Sequence, residues 1–293
     1  EPRTKNQEPR TKNSRAAAST SNSNSQLELL RSSQLQLNKR PMKTKIPHLI
    51  LAGLLGTSLA SQAAVLYQSD FTGTTVGDAD LEVNGANSGT WNIDTVNDRL
   101  RYSAPFSTSR TTVNNTVGYG LEPGYKGYTL DVTFNQLGSG TTFTIGLVDA
   151  DDTWNWNNDF LDTVGQPYAI AFQTDGSSEN ANSNDDVLMF HNESTTTALS
   201  DAQGDITYGQ DTTLSITVTA DSFSYSLNGA PATTGAITFD TSKNYMFAAY
   251  ANRGTAANGS YISNITITAI PEPSSGALLG LGGLALALRR RRS

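Results

Sequence analysis

The feature that most restricts the fold of this chain is an alternation of apolar and polar residues between residues 64 and 270. Residues 128–134, 142–147 and 214–219 each alternate apolar side chains with Thr, Ser or Asp. Because successive side chains of a strand point to opposite faces, this period of two predicts strands with one buried and one solvated face. Further runs of the same kind occur at 65–71, 99–103, 168–173, 187–191, 222–227, 237–239, 245–250 and 261–269.

Turn residues separate these runs, and no amphipathic helix of ordinary length interrupts them. The pairs Asp175-Gly176, Asn228-Gly229 and Asn258-Gly259 are typical of tight turns. About a dozen short strands at this spacing predict an all-β domain, built as a β-sandwich or jelly roll.

The second half of this segment resembles the concanavalin A-like lectin and laminin-G-type jelly rolls. The resemblance rests on a late series of strands and turns: 212–220, Asp221, 222–227, Asn228-Gly229, 245–250 and 262–268. It implies that the closing strand pairs next to the N-terminal strand, which residues 67–71 would supply. A sandwich with a different connectivity is the alternative.

The N-terminal residues have the pattern of an export signal. The segment before it is too polar to form a hydrophobic core. Residues 1–41 contain a direct repeat and a Ser/Asn/Gln-rich stretch, so we expect disorder there, with a basic nucleic-acid-binding arm as the alternative. The first methionine is Met42, and basic residues, the apolar run 49–60 and a small-residue site follow it. This order predicts a signal peptide at 42–63, cleaved between Ala63 and Ala64, and a misplaced start at residues 1–41.

The C-terminal 23 residues have three parts with different physical roles. Pro271, Glu272 and Pro273 form an extended triplet, because each proline fixes its own φ and restricts the residue before it. The apolar run 276–288 has 13 residues and would span about 20 Å as a helix, less than the ~30 Å hydrocarbon core. By the positive-inside rule the closing arginines stay in the cytoplasm; they are Arg289, Arg290, Arg291 and Arg292.

This order closely resembles the PEP-CTERM sorting signal of Gram-negative bacteria. The resemblance covers residues 271–292. It implies recognition of the Pro-Glu-Pro triplet by an exosortase-type membrane enzyme, transient anchoring in the inner membrane, removal of the apolar tail, and delivery to the outer surface or extracellular matrix. An unprocessed tail anchor is the alternative.

The segment between the two export elements is strongly acidic. Residues 64–270 hold 23 Asp and Glu against 6 Lys and Arg, a net charge of −17. Such a domain repels phosphates, which argues against nucleic acid and favours calcium or neutral ligands. The chain has no cysteine, so no disulfide contributes to its stability.

The recognisable catalytic patterns are missing from the sequence. The four glutamates of residues 64–270 form no Glu-x-Asp-x-x-Glu pattern of laminarinase-type hydrolases, and no Gly-x-Ser-x-Gly elbow occurs. His191 follows a predicted strand, and we expect it at the surface. We therefore predict a non-catalytic domain that binds glycan or associates with an extracellular matrix, with a ligand-free coat protein as a variant. The alternative is a secreted glycan hydrolase with an unrecognised carboxylate pair among Asp149, Asp151 and Asp159.

The most suggestive loop follows the strand that ends near residue 148. Calcium prefers six to eight oxygen ligands, and the loop offers Asp149, Asp151, Asp152, Asn155, Asn157 and Asp159. Ordinary turn formation by the same residues is the alternative. Trp154 and Trp156 lie on one side if the loop is extended, which predicts an apolar platform for sugar rings. Packing of these tryptophans into the core, as expected for Trp91, is the other possibility.

Overall fold

The computed structural model describes residues 62–87, 89–105, 109–138, 142–152, 167–174, 186–200, 206–252 and 258–273. Within these ranges the chain forms fifteen strands and one turn of 3-10 helix at Val76–Ala79, which confirms the all-β class. The strands are β1 (Ala64–Ser69), β2 (Leu81–Asn87), β3 (Thr90–Asp94), β4 (Arg99–Ser103), β5 (Arg110–Asn115), β6 (Tyr125–Asn135), β7 (Phe143–Asp149), β8 (Ala169–Gln173), β9 (Val187–His191), β10 (Thr196–Ser200), β11 (Thr212–Thr219), β12 (Ser222–Leu227), β13 (Thr233–Ala236), β14 (Tyr245–Asn252) and β15 (Tyr261–Pro271). The predicted signal peptide up to residue 61 and the apolar run 276–288 lie outside the described residues.

The strands form two antiparallel sheets. The eight-stranded sheet has the order β13-β12-β11-β6-β15-β4-β3, with β1 also paired to β15. The seven-stranded sheet has the order β10-β9-β8-β7-β14-β5-β2. This is the jelly-roll sandwich that the sequence predicts.

Apolar side chains from both sheets meet in one core. The Phe134 ring of β6 lies 5.8 Å from the Phe143 ring of β7 and 6.4 Å from the Phe172 ring of β8, measured between centroids. Trp91 is buried beside Phe143, as expected from the sequence. Aromatic pairs at these separations stabilise a core beyond the area that they bury.

The closing strand lies where the resemblance to jelly rolls places it. β15 pairs with β1 on one side and with β6 on the other. The turn after β12 also has the expected geometry, because Asn228 and Gly229 adopt φ values of 51° and 71°. Positive φ at both positions matches the twist of the flanking strands, and Asn-Gly tolerates it.

One predicted strand was wrong, and several strands were missed. Residues 237–239 are not a strand; the backbone N–H groups of Ile237 and Phe239 donate to Asp221 and Ala220 in the preceding turn, so they leave the ladder. The neighbouring strand is β13 instead. The missed strands β2, β3, β5 and β10 are rich in Asn and Thr, so their apolar alternation is weak.

The expectation of one solvated face fails for the central strands of the seven-stranded sheet. All residues of β7 and β8 are buried, and a second apolar cluster lies on the outer face of this sheet, away from the main core. A Cβ at Gly146 would lie 2.3 Å from the Cβ of Ala171, so this face requires small residues. The cluster consists of Val148, Ala169, Ala171, Met189, Met246, Ala248 and Tyr250.

Candidate functional site

The acidic loop begins at one end of the sandwich. Asp149 is the last residue of β7, and its backbone N–H donates to Tyr168 O just before β8. The N–H of Ala150 donates to Asn244 O, just before β14. The first residues of the loop are therefore held between two neighbouring strands.

Lys243 forms ion pairs with two carboxylates at this end of the sheet. The Lys243 Nζ donates to Asp149 Oδ2 at 2.5 Å and to Glu193 Oε1 at 3.0 Å. The Asp149 side chain is 2% exposed and that of Lys243 25%. Burial alone lowers the pKa of Lys243. The hydrogen bonds that Lys243 donates to Asp149 and Glu193 outweigh this effect and raise the pKa above its usual value.

The described carboxylates of the loop also shape its turn. Asp152 Oδ2 accepts from the N–H of Tyr168 at 2.9 Å. Asp149 Oδ1 accepts from the N–H of Asp151, and Asp151 Oδ2 accepts from Asn244 Nδ2, both at 3.0 Å. These contacts are those of ordinary turn formation, the alternative to a calcium site.

The same groups include a set that matches metal-ligand spacing. Asp149, Asp152 and Glu193 each present an oxygen within 4.8 Å of the others. Lys243 already bonds two of the three, so its ammonium supplies a positive charge at this cluster. We call these four residues the Lys243 cluster. Glu193 and Lys243 reach Asp149 from distant parts of the chain, so no local sequence pattern could have included them.

The structure describes part of the loop that carries the predicted calcium ligands. Of the six predicted calcium ligands, Asp149, Asp151 and Asp152 are described; the others lie outside the described residues, as do both candidate sugar-binding tryptophans. The undescribed candidates are Trp154, Asn155, Trp156, Asn157 and Asp159.

The expectation that His191 lies at the surface was wrong. Its side chain is 0% exposed, because β9 is flanked by β8 and β10 and the ring lies against Pro167. Its Nδ1 is 2.9 Å from Pro167 O, and its Nε2 has no hydrogen-bond partner among the residues that the structure describes. His191 therefore belongs to the interior of this sheet.

An open groove lies beside the Lys243 cluster, between the edges of the two sheets. It has a volume of about 750 Å³. The Tyr168 ring contributes to the groove and also lies 5.3 Å from Lys243 Nζ, so the groove and the cluster share a wall. Its apolar lining is Tyr168, Phe190, Leu199, Ala236, Ile237 and Phe239, and its polar lining is Asn192, Thr197, Thr238 and Asp240. We call this the edge groove; no pattern in the sequence indicated it.

The predicted sorting triplet begins inside the last strand. Pro271 is the final residue of β15 and pairs with Tyr125 of β6. The N–H of Glu272 donates to Gly124 O at 2.8 Å, while the Glu272 and Pro273 side chains are exposed. The triplet is thus less accessible than it would be in an extended segment that is not paired with a sheet. Among the residues that the structure describes, no helix is long and apolar enough to cross a membrane.

Comparison with known families identifies the C-terminal segment. Residues 269–292 match the model of the PEP-CTERM protein-sorting motif. The chain carries a PEP-CTERM sorting motif. The motif marks an exported protein of Gram-negative bacteria. No curated protein sequence matches the chain.

Solved structures resemble the β-sandwich. Lectin II from Ulex europaeus aligns with a TM-score of 0.53 at 12% identity, over 72% of this chain and 99% of that one. Lectin UEA-II complexed with galactose gives 0.52 at 12% identity, over 72% and 99%. The carbohydrate recognition domain of Emp47p gives 0.51 at 10% identity, over 72% and 98%. At such low identity these likenesses establish a lectin-like, concanavalin A-type fold.

Replacing Lys243 should destabilise this end of the sandwich. Lys243→Met leaves the buried Asp149 carboxylate without its cation, and we expect the free energy of unfolding to fall by about 3 kcal/mol. Chemical denaturation at pH 7 measures the change. Lys126→Met, at an exposed position of β6, is the matched control and should change the value by less than about 0.5 kcal/mol.

Alkaline pH provides a second readout of the same ion pair. Because the folded-state pKa of Lys243 is raised, its stabilisation is complete below the unfolded pKa of about 10.4 and is lost as pH rises through the folded value. Buried tyrosines act in the same direction; burial raises the pKa of Tyr128 to about 12. The unaltered protein should therefore lose more stability than Lys243→Met between about pH 9 and pH 11.5. Equal losses in both would contradict a stabilising role for Lys243.

Proposed function

We propose that this protein is sorted to the outer surface or extracellular matrix, where its sandwich binds glycan without catalysis. One observation carries the proposal: a PEP-CTERM motif at residues 269–292 begins within the last strand of a lectin-like sandwich. The motif accounts for export, and the sandwich is the part that remains once the tail is removed.

The sorting step assigns a role to each part of the tail. An exosortase-type enzyme recognises Pro271, Glu272 and Pro273 while the apolar run 276–288 sits transiently in the inner membrane. The arginines at 289–292 hold the tail on the cytoplasmic side. Cleavage then frees the sandwich for the cell surface.

The glycan site that we propose combines the edge groove with the loop beside it. Ligand sites are concave and mostly apolar, with a few polar groups that fix orientation. The edge groove has this composition, with aromatic and aliphatic walls and Asn192 and Asp240 among its polar residues. The loop that carries Trp154 and Trp156 follows Asp152, which is bonded to Tyr168 in the groove wall. The two tryptophans would add flat apolar surface for a sugar ring.

Calcium is the cation that we propose for this loop. The Asp149 carboxylate is already paired with Lys243, so the available ligands are Asp151 and the amide and carboxylate oxygens that follow it. These are Asp152, Asn155, Asn157 and Asp159. An extracellular polysaccharide is the partner that fits an acidic, calcium-binding surface protein.

Ligand binding should appear as a rise in thermal stability. A ligand that binds only the folded state adds about 2.7 kcal/mol at a hundredfold excess over Kd. We expect millimolar calcium to raise the melting temperature of purified residues 64–270, and Asp151→Asn to abolish the rise. Asp98→Asn, in an exposed turn between β3 and β4, is the control and should leave it intact. The calcium assignment fails if both variants respond alike.

Glycan binding is tested by measuring the melting temperature in the presence of each polysaccharide of a panel. A glycan-dependent rise that is lost in Trp154→Ala and in Leu199→Asp would support the combined site, because these substitutions remove the platform and place a charge in the groove. Val96→Ala, fully exposed in a distant turn, should retain the rise. No rise with any glycan would leave a ligand-free coat protein. Release of reducing sugar would instead show a hydrolase.

Sorting is tested by following the tail. In a host with a matching exosortase, surface protein should lose reactivity to an antibody against residues 278–292 while keeping the sandwich. Glu272→Ala combined with Pro273→Ala changes two exposed side chains, so the fold should persist while the tail is retained. Tail retention on the unaltered surface protein would rule out processing.

A further inference from the structure

The two processing sites of this chain meet at one corner of the eight-stranded sheet. Ala64, the first residue after the predicted signal-peptide cleavage, pairs with Ala269 two residues before the sorting triplet. The Tyr125 hydroxyl lies 3.4 Å from Gln62 O on the N-terminal side, and Tyr125 pairs with Pro271 on the C-terminal side. Residues more than two hundred positions apart in sequence are therefore neighbours here.

No spacer separates the sandwich from the triplet. Ala269 is hydrogen-bonded into the sheet between Ala64 of β1 and Tyr128 of β6. Pairing with β6 continues through Pro271, and the N–H of Glu272 is satisfied by Gly124 O at 2.8 Å. Gly124 adopts a φ of 97°, which only glycine takes up readily, so the turn that presents this carbonyl is specified by the sequence.

A docked backbone conflicts with cleavage. Enzymes that recognise a short peptide motif bind it in an extended form and use its backbone groups, which must then be unpaired. The backbone of Pro271 and Glu272 is already in use within the sheet. The active site of a membrane enzyme also has to approach within a residue or two of a folded domain.

We propose that the folded sandwich occludes its own sorting motif, and that the end of β15 must detach from β1 and β6 before the tail can be cut. The proposal rests on the exosortase processing proposed above and adds the step that controls it. This occlusion of the motif is local and reversible, because strand ends open at far lower free energy than the sheet as a whole. A shift of register between Ile270 and Pro271 makes the ladder irregular at this point, although Pro271 still pairs with Tyr125.

A disulfide across β1 and β15 tests the proposal. Val65 and Thr268 are paired partners beside the triplet, and paired residues of antiparallel strands are close enough for a disulfide. The chain has no cysteine of its own, so Val65→Cys with Thr268→Cys creates a single possible bond in an oxidising compartment. Tail loss in the full chain should slow by about tenfold or more, because the bond holds β15 against β1 three residues before the triplet and restricts detachment of the strand end.

Two controls separate the effect of the disulfide from other effects of the two substitutions. The same double variant in a host without periplasmic thiol oxidation keeps both cysteines but lacks the bond, and should lose its tail at the normal rate. A Gly-Ser-Gly-Ser insertion between Ile270 and Pro271 moves the triplet away from the sheet. In the oxidised double variant this insertion should restore tail loss. Normal tail loss in the oxidised variant, or failure of the insertion to restore it, would overturn the proposal.

Hydrogen exchange checks the docking without any enzyme. In the full chain in detergent micelles, the amide of Glu272 should exchange at least about tenfold more slowly than an unstructured amide, and Gly124→Pro should remove this protection. An unprotected Glu272 amide in the unaltered chain would contradict the docked motif. If that amide is protected but the unaltered chain keeps its tail in the exosortase host, the docking holds and the processing proposal fails.

Discussion

The pairing of the last strand with the first is the interaction on which this structure depends. β15 lies between β6 and β1, and its inward residues Ile262, Ile265 and Ile267 are completely buried in the core. The eight-stranded sheet is therefore incomplete until the final segment before the sorting motif has joined it. Such non-local pairing carries a large loop-closure cost and makes folding slow. An exported chain of this kind acquires its stable fold only after nearly all of it has crossed the membrane.

Without disulfides, the sandwich is stabilised in part by burying tyrosine rings whose hydroxyl groups are hydrogen-bonded. The Tyr67 hydroxyl donates to Ala79 O at 2.7 Å, and the Tyr245 hydroxyl donates to Asp240 O at 2.8 Å. Tyr128 donates to both Tyr119 O and Lys243 O at 3.1 Å. Each tyrosine thus adds apolar bulk to the core and ties a loop carbonyl to it, so the loops at the sandwich ends are fixed by the core itself.

Sequence periodicity predicted the eight-stranded sheet well, because one of its faces is solvated. β11 alternates buried and less buried residues along its whole length, as residues 214–219 suggested. The inner strands of the seven-stranded sheet are buried on both faces, so polar residues such as Thr112 and Asn114 lie in its interior and conceal the strand β5. For the same reason His191 looked like a surface residue and is not.

The candidate site was predictable only where it is local in sequence. Asp149 and its neighbours stood out because they follow a clear strand. Lys243 completes the cluster through hydrogen bonds to Glu193 and Asp149 across 50 and 94 positions, which periodicity and motifs cannot reveal. The edge groove is likewise made by β9, β10 and the segment after β13, which meet only in the folded sandwich.

The candidate site and the sorting motif lie at the same end of the sandwich. Pro271 pairs with Tyr125, Tyr128 follows about 10 Å further along β6, and the Tyr128 hydroxyl is bonded to the backbone of Lys243. On the sorting step proposed above, the membrane tail would leave the sandwich at the end that carries the Lys243 cluster. In that proposal an extracellular polymer would reach this end more readily once the tail is removed, so the same cut would release the protein and free the surface with which we propose it binds glycan.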